Sequence, residues 1–247
     1  MVNYRDLTML PIDDERYVIF ACDSTAGIGL KEYDTLKIAP EIVAQMCIRV
    51  PLMELLCLNV APVITFNLVG NEMNPTGQRI LAGIHQELKA ANFDHILQNG
   101  STEENMMTVT TGMGIVLAGT ANVRDLLWKK VRSHDQVYLL GNPYVGAELI
   151  NNFDKIISYQ DVHLLKQQDA IHEIVPIGSK GSLNEAEQTA KANQLKFVPM
   201  TEDHTSRALA TKSAGPSTAV LVVGLEEILP FLHTHFNDVL NIGYMEE

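Results

Sequence analysis

The chain has 247 residues, of which 46% are hydrophobic and 19% are charged, and its formal net charge is −12 at pH 7. This composition is typical of a folded protein with one large or two modest domains, and it excludes a disordered or fibrous chain. The acidic balance disfavours nucleic-acid binding, because that function needs a basic face and the longest basic cluster spans only 129–132.

The cysteines and the N-terminal segment indicate the cellular compartment in which the protein is expected. Cys22, Cys47 and Cys57 all lie in apolar stretches, and an odd number of such residues is typical of reduced, buried thiols in a cytoplasmic protein. The first 17 residues carry too many charges for a signal peptide. No apolar run approaches the roughly 20 residues of a membrane span, so we expect no membrane partner.

In the first half of the chain, segments with the apolar spacing of a strand alternate with segments that have the apolar spacing of a helix. Pro51 should kink or restart the first helix, because proline lacks a backbone donor. Asn74 followed by proline has the form of a helix start. The expected elements are a strand at 17–22, a helix at 40–59, a strand at 60–69, a helix from 74 and a strand-rich stretch at 106–119.

Composition shifts near 121–133, where charges and the only tryptophan appear, so we predict domains at 1–122 and 123–247. Ser182 and Glu185 have the spacing of a capping box. The expected elements of the second half are strands at 137–140, 171–177, 196–200 and 219–223 and helices at 182–193 and 225–235. This alternation of strands and helices predicts an α/β or α+β fold.

The segment from Asp23 to Lys31 combines three features that suit a triphosphate. An acidic residue that follows a strand is a ligand for Mg²⁺, Gly27 and Gly29 let backbone amides approach phosphates, and Lys31 supplies a positive charge. The segment is neither a Walker A loop nor a GxGxxG loop. An ordinary turn after a strand is the alternative interpretation.

A second motif, Gly-Ser-Thr-Glu-Glu-Asn at 100–105, is rich in oxygen ligands for a hard cation. Its alternative interpretation is a helix start with acids in the first turn. A third motif, Lys-Ser-Ala-Gly-Pro-Ser-Thr at 212–218, offers small residues that permit close approach of a ligand. An ordinary loop before a strand is the alternative there.

Taken together, these motifs resemble those of the aminoimidazole ribonucleotide synthetase-like (PurM-like) superfamily. The segment 23–31 resembles its Asp-Gly-Val-Gly-Thr-Lys signature, and 100–102 lies where it has Gly-Gly-Glu-Thr or Gly-Gly-Asp-Thr. The helix that carries 49–54 and ends at 59–62 resembles the stretch that ends in Gly-Ala-x-Pro. Within this superfamily, the chain is most similar to the α-ribazole kinase branch. This similarity lies in the second and third motifs, in the segment 71–77 and in the Gly83-Ile84 step.

The resemblance implies a two-domain fold, with an N-terminal domain of sheet and helices that pairs in a homodimer and a shorter α/β C-terminal domain. It implies ATP and Mg²⁺ as cofactors and a small-molecule substrate. The residues that it assigns by position are Asp23, Asp34 and Glu54 to the metal, Asp23, Ser24, Gly27, Gly29, Lys31, Ser101, Thr102 and Lys212 to the nucleotide, and Lys31, Glu103 and Glu104 to catalysis.

The function expected on this basis is phosphorylation of a small-molecule alcohol, with α-ribazole as the acceptor in assembly of the cobalamin nucleotide loop. The chain has Asp23-Ser24 and Ser-Thr-Glu-Glu where thiamine-monophosphate kinase relatives carry paired aspartates. Three alternatives remain open: a thiamine-monophosphate-kinase-like enzyme, an ATP-dependent synthetase or cyclo-ligase, and an inactive nucleotide-binding protein. Selenophosphate synthesis is disfavoured, because no reactive cysteine lies in a glycine-rich arm before Asp23.

Overall fold

The computed structural model of the protein describes residues 2–200 and 203–247. The chain folds into two compact units. Unit 1 comprises Met1–Leu55 and Val60–Val123, and unit 2 comprises Leu56–Asn59 and Arg124–Glu247. Throughout the described residues, every helix falls short of the length and apolar content that a membrane crossing requires.

Unit 1 contains one large sheet, a small two-stranded sheet and two long helices. Its elements are β1 (Val2–Tyr4), β2 (Leu7–Pro11), β3 (Arg16–Ala26), β4 (Ile28–Gly29), β5 (Leu36–Lys37), α1 (Pro40–Cys57), β6 (Pro62–Val69), α2 (Gln78–Ala90), β7 (Leu97–Thr102) and β8 (Gly112–Asn122). The large sheet has the order β1-β2-β3-β8-β6-β7. All neighbours are antiparallel except β6 and β7, and β4 pairs with β5 in parallel.

The two faces of the large sheet differ in burial. Ile19 and Ala21 of β3 are buried, and their alternation with more exposed neighbours is the period-2 pattern of a strand with one covered face. The opposite face carries Phe66 and Leu68 of β6, with exposed fractions of 38% and 50%, and Leu97 of β7 at 70%. We call this second surface the open face of the sheet.

Helix α1 runs without interruption from Pro40 to Cys57, so the prediction that it restarts at Pro51 is wrong. Every residue from 51 to 58 is buried, and this packing outweighs the loss of one backbone donor. The helix ends where Asn59 adopts a left-handed conformation with φ of 66°. A side chain at Gly83 of α2 would place its Cβ 2.1 Å from the carbonyl oxygen of Glu41, so glycine permits α1 and α2 to approach closely.

The expected helix start at Asn74 is also wrong, because Met73–Gly77 forms a π-helical turn and α2 begins at Gln78. Asn74 has the non-helical angles φ −118° and ψ 117°. The side chain of Asn74 therefore does not act as the N-cap of α2, whose N-cap position is Gly77.

Unit 2 is a five-stranded antiparallel sheet with helices. Its elements are β9 (Gln136–Leu140), α3 (Ala147–Ile150), α4 (Tyr159–Leu165), β10 (Ile171–Pro176), α5 (Gly181–Ala192), β11 (Lys196–Pro199), α6 (His204–Thr211), β12 (Val220–Gly224), α7 (Leu229–His235) and β13 (Val239–Glu246). The strand order is β10-β12-β9-β13-β11. The fully buried apolar run of β12 lies between two neighbouring strands, as expected for a central strand.

The predicted capping box at Ser182 is wrong, although the helix itself is present as α5. The hydroxyl of Ser182 donates to the carbonyl of Ala210 at 2.8 Å instead of capping α5. Helix α5 begins at Gly181, where φ is +80° and a Cβ would lie 2.7 Å from the carbonyl carbon of Thr211. Contact with α6 therefore determines this helix start, and that contact is not visible in the local sequence.

Candidate functional site

Asp23 lies within β3 and not in the loop after it, which corrects the expected end of this strand. The segment from Asp23 to Ala26 continues the ladder with β8, pairing with Ile115 to Gly112. Asp23 is half-buried and hydrogen-bonded to the thiol of Cys47 in α1. Burial raises the pKa of Asp23. Ser24 points to the opposite face and is exposed, as is Cys22, which the sequence predicts to be buried.

The two glycines after β3 are required by the packing of their own loop. Gly27 has a φ of +73°, its amide donates to the carbonyl of Thr111 at 2.9 Å, and its carbonyl accepts from the amide of Thr35 at 2.7 Å. A Cβ on Gly29 would lie 2.0 Å from Oγ1 of Thr111 and 2.5 Å from Oδ2 of Asp34. The amide of Gly27 is therefore already bonded within the protein, and its predicted contact with a phosphate stays a prediction.

Asp34 anchors this loop, and its assignment as a metal ligand stays a prediction. Its Oδ1 accepts from the amide of Thr111 at 2.7 Å, and its Oδ2 accepts from the hydroxyl of Thr111 at 2.7 Å and from the amide of Lys31 at 2.8 Å. Burial acts to raise the pKa of Asp34, but the bonds from Thr111 and Lys31 outweigh it and the pKa is lowered. Both carboxylate oxygens are thus bonded within the protein.

The ammonium group of Lys31 is paired with a carboxylate. Its Nζ lies 2.7 Å from Oε2 of Glu72, and the hydroxyl of Thr76 donates to Oε1 of the same carboxylate. Burial acts to raise the pKa of Glu72, but the Lys31 and Thr76 contacts lower it to about 2. A ligand phosphate would have to compete with Glu72 for Lys31.

Glu103 and Glu104 both stabilise the loop between β7 and β8. Oε1 of Glu103 accepts from the amides of Asn105 and Met106 at 2.8 and 3.1 Å. Oε1 of Glu104 accepts from the amide of Met73 at 2.7 Å and from the hydroxyl of Thr102 at 2.9 Å. Glu104 is nevertheless exposed to solvent.

Asn71 organises the same corner and was missed by sequence reasoning. Its side chain is fully buried, and its Nδ2 donates to Oγ1 of Thr108 at 2.7 Å and to the carbonyl of Thr110 at 2.8 Å. Its Oδ1 accepts from the amide of Gly112 at 2.9 Å, and its carbonyl accepts from the amide of Glu103 at 3.0 Å. The only signal in the sequence is a polar residue two positions after a strand. These bonds bring the first two motifs into one loop cluster, which we call the β3 corner.

Glu54 lies outside the β3 corner, and the prediction that it binds a metal stays a prediction. Its Oε1 lies 3.5 Å from Nη2 of Arg5, and both side chains are nearly inaccessible, at 8% and 5% exposure. Within residues 2–200 and 203–247, no group of three or more His, Cys, Asp or Glu side chains is arranged to hold a metal ion. The structure therefore does not gather Asp23, Asp34 and Glu54 into a cation cage.

The fit to Mg²⁺ depends on Asp23 alone. Mg²⁺ bound with nucleotide phosphates usually keeps several waters and takes only one or two protein carboxylates. A half-buried carboxylate whose pKa is raised by burial gains from a neighbouring cation, because the cation offsets the cost of desolvating the charge. Asp23 fits this role, and the rest of the ion's coordination would come from phosphates and water.

A cavity of about 330 Å³ opens beside the β3 corner in unit 1. Ser101 and Thr102 line it, together with Asn67, Val69 and Met73. Its volume is at the lower end of the range for small-molecule sites, and its lining mixes apolar side chains with amide and hydroxyl groups. The two predicted nucleotide contacts of the second motif thus lie on a cavity of suitable size for a small ligand.

Lys212 lies in unit 2, and its ammonium group is also paired. Its Nζ lies 2.9 and 2.6 Å from Oε1 and Oε2 of Glu148, and 5.9 Å from the ring centroid of Tyr144. The loop that follows is fixed by hydrogen bonds from the hydroxyl of Thr218 to the carbonyls of Tyr144 and Ala214, at 3.2 and 3.3 Å. The structure thus gives Lys212 an internal partner in place of the predicted phosphate.

No protein-family model and no curated protein matches this chain. Thiamine-monophosphate kinase from Aquifex aeolicus is similar in structure, with a TM-score of 0.65 and 16% identity over 98% of this chain and 89% of that one. The same kinase from Stenotrophomonas maltophilia has a TM-score of 0.64 at 11% identity, covering 98% of this chain and 89% of that one.

Phosphoribosylformylglycinamidine synthase II from Thermotoga maritima has a TM-score of 0.65 at 12% identity, and the match covers 97% of this chain and 42% of that one. The chain therefore spans less than half of that synthase but most of each kinase. Similarity at these identities establishes architecture. The protein thus has the same mixed α/β fold as these kinases and the synthase.

Proposed function

We propose that this protein is an ATP- and Mg²⁺-dependent kinase that phosphorylates a small-molecule alcohol, with α-ribazole as the first acceptor to test. The observation that carries the proposal is the half-buried carboxylate of Asp23, held on β3 beside the loop cluster of the β3 corner. The fold supports it, since a structural neighbour, AaThiL, is a complex with AMPPCP and TMP, with a TM-score of 0.66 at 16% identity.

Phosphoryl transfer asks a protein mainly to position its reactants and to stabilise charge. Mg²⁺, when bound, neutralises charge on the phosphates. Asp23 holds the ion in this proposal, and Lys31 turns from Glu72 toward the phosphates when the nucleotide enters. Ser24 is exposed on the opposite face of the same strand, so this proposal gives it no contact with the ion that Asp23 holds.

The acceptor alcohol occupies the cavity beside Ser101 and Thr102 in this proposal. Glu104 orients the acceptor hydroxyl, because Oε1 is anchored by Met73 and Thr102 while the residue remains exposed. Glu103 acts on the loop and not on the substrate, since its Oε1 closes the turn to Asn105 and Met106. Loss of Glu104 should therefore affect turnover more than loss of Glu103.

We also propose that two copies associate through the open face of the sheet in unit 1. The exposed apolar side chains Phe66, Leu68 and Leu97 lie on this face, and contiguous apolar surface of this kind marks interaction sites. A second copy is the occupant in this proposal, because an exposed face of strands can meet its own image about a twofold axis.

Turnover by purified protein tests the kinase proposal. Wild type is incubated with Mg·ATP and α-ribazole, and both ADP and the phosphorylated alcohol are measured. Asp23→Asn should lose at least 100-fold of this activity, whereas Asp94→Asn, which changes an exposed aspartate of unit 1, should retain it. Equal activity of Asp23→Asn and wild type would refute the site.

The same assay separates the alternatives. Thiamine monophosphate replaces α-ribazole in a parallel reaction, because the structural neighbours include thiamine-monophosphate kinases. ADP with free phosphate, and no phosphorylated alcohol, would favour a synthetase or cyclo-ligase. Mg·ATP binding without any turnover would favour a nucleotide-binding protein, an interpretation that the internal pairs of Lys31 and Lys212 support.

A further inference from the structure

Unit 2 contains a cavity of about 490 Å³ with a basic lining. Lys129, Lys130, Arg132 and Lys166 line it, and Asp169 is the carboxylate among its lining residues. The whole chain has 18 Lys and Arg against 30 Asp and Glu, so this cavity reverses the charge balance of the protein. We call it the basic pocket.

The four cations of the basic pocket are not neutralised by acidic side chains. In the part of the chain that the structure describes, none of them forms an ion pair, whereas Lys31 is paired with Glu72. Lys129 places its Nζ 4.7 Å from the ring centroid of Trp128, and Lys166 donates to Oδ1 of Asn59 at 3.3 Å. Four like charges gathered at one cavity repel one another, and an anion between them would remove that cost.

Two buried acidic residues hold the backbone of the segment 130–132 in place. Oδ2 of Asp135, which is 1% exposed, accepts from the amide of Arg132 at 2.7 Å and lies 2.6 Å from Nδ1 of His172. The amide of Lys130 donates to Oε1 of Glu173 at 3.3 Å. The pocket is thereby fixed before any ligand arrives, which reduces the entropic cost of binding.

His172 adds a further polar group to the pocket lining. Its Nδ1 is held by the carboxylate of Asp135, which leaves Nε2 as the second polar atom of the ring. Burial lowers the pKa of Lys166, so a bound anion would also stabilise the charged form of that side chain.

We propose that the basic pocket binds a small phosphorylated molecule, through Lys129, Lys130, Arg132 and Lys166 with His172. Its volume lies within the range of small-molecule sites, and guanidinium and ammonium groups together are the usual ligands of phosphate oxygens. The pocket shares no residue with the β3 corner, so it is a second ligand site in addition to the proposed nucleotide site.

The only tryptophan of the chain, Trp128, provides a readout at the pocket itself. Inorganic pyrophosphate is titrated into the full chain in EDTA, at constant ionic strength adjusted with chloride, and tryptophan fluorescence is recorded. Binding draws Lys129 toward the anion and away from the indole ring, so a saturable change in fluorescence is expected. Absence of a saturable change in wild type would overturn the proposal.

Two variants and two controls locate the signal. Arg132→Gln and Lys166→Met should each weaken pyrophosphate binding at least fivefold, while Lys191→Met, on an exposed part of α5, should leave it unchanged. Asp23→Asn should also leave it unchanged, since the β3 corner takes no part. Equal affinity of wild type and both pocket variants would refute the site, and equally tight binding of citrate would refute its selectivity for phosphate.

Discussion

Asp34 accepts hydrogen bonds from both the amide and the hydroxyl of Thr111, each at 2.7 Å, across 77 positions of sequence. The pair joins the loop after β3 to the residue that precedes β8, which are neighbours only because the two strands are paired. The bonds keep a buried carboxylate charged and lower its pKa.

Asp34→Asn should destabilise the protein by about 1–3 kcal/mol, because an amide cannot accept all the bonds that the carboxylate accepts. The free energy of unfolding is measured by urea denaturation at pH 7 for both proteins. Asp94→Asn, at an exposed position, should change it by less than about 0.5 kcal/mol. An equal effect of the two substitutions would contradict the anchoring role of Asp34.

Gly29→Ala should destabilise unit 1 by about 1–3 kcal/mol, since the added Cβ would overlap Thr111 and Asp34. Gly112→Ala is the matched control, because a Cβ at Gly112 meets nothing within 4 Å. The two variants are compared with wild type by urea denaturation. A neutral Gly29→Ala would show that the loop packs differently from the structure.

The Lys31–Glu72 ion pair should make the stability of the protein depend on pH. The folded-state pKa of Glu72 is lowered to about 2, so the stability from this group is present above its unfolded pKa near 4.3 and is lost as pH falls toward 2. Carboxyl-carbon NMR titration should give a pKa for Glu72 well below that of an exposed glutamate, and Lys31→Met should raise it. A pKa of Glu72 near 4.3 in wild type would contradict the pair.

Leu68→Glu should dissociate the proposed dimer, because it places a charge in the middle of the open face. Light scattering after size exclusion should give wild type about twice the chain mass of 27.3 kDa, and the variant the chain mass itself. Leu225→Glu, at a partly exposed leucine of unit 2, should remain dimeric. A monomeric wild type would refute the dimer.

The spacing of apolar residues predicts the strands at 17–22, 137–140 and 171–177 and the helix that begins at Pro40. This is possible because the burial of an element determines which of its own residues are apolar. Periodicity does not show where strand pairing continues. β3 extends through Asp23 to Ala26 because β8 supplies partners almost 90 residues away, and no local pattern in that polar segment favours a strand.

The site residues were predicted from their chemical type and their position in a resembling family. Their partners could not be predicted, since Asp34 bonds to Thr111 and Glu54 to Arg5 across long separations. An acidic residue after a strand has the same local sequence whether it binds a cation or an internal hydroxyl. Asp23 differs in that burial raises the pKa of its carboxyl group, although the amide of Ser24 and the thiol of Cys47 are hydrogen-bonded to it.

Binding of Mg·AMPPCP, measured by isothermal titration calorimetry on wild type, Asp23→Asn and Asp94→Asn, tests the nucleotide site most directly. Wild type and Asp94→Asn should bind with equal affinity, and Asp23→Asn should bind at least tenfold more weakly, because the ion loses its protein carboxylate. Asp23→Asn binding as tightly as wild type would contradict the assignment of the β3 corner.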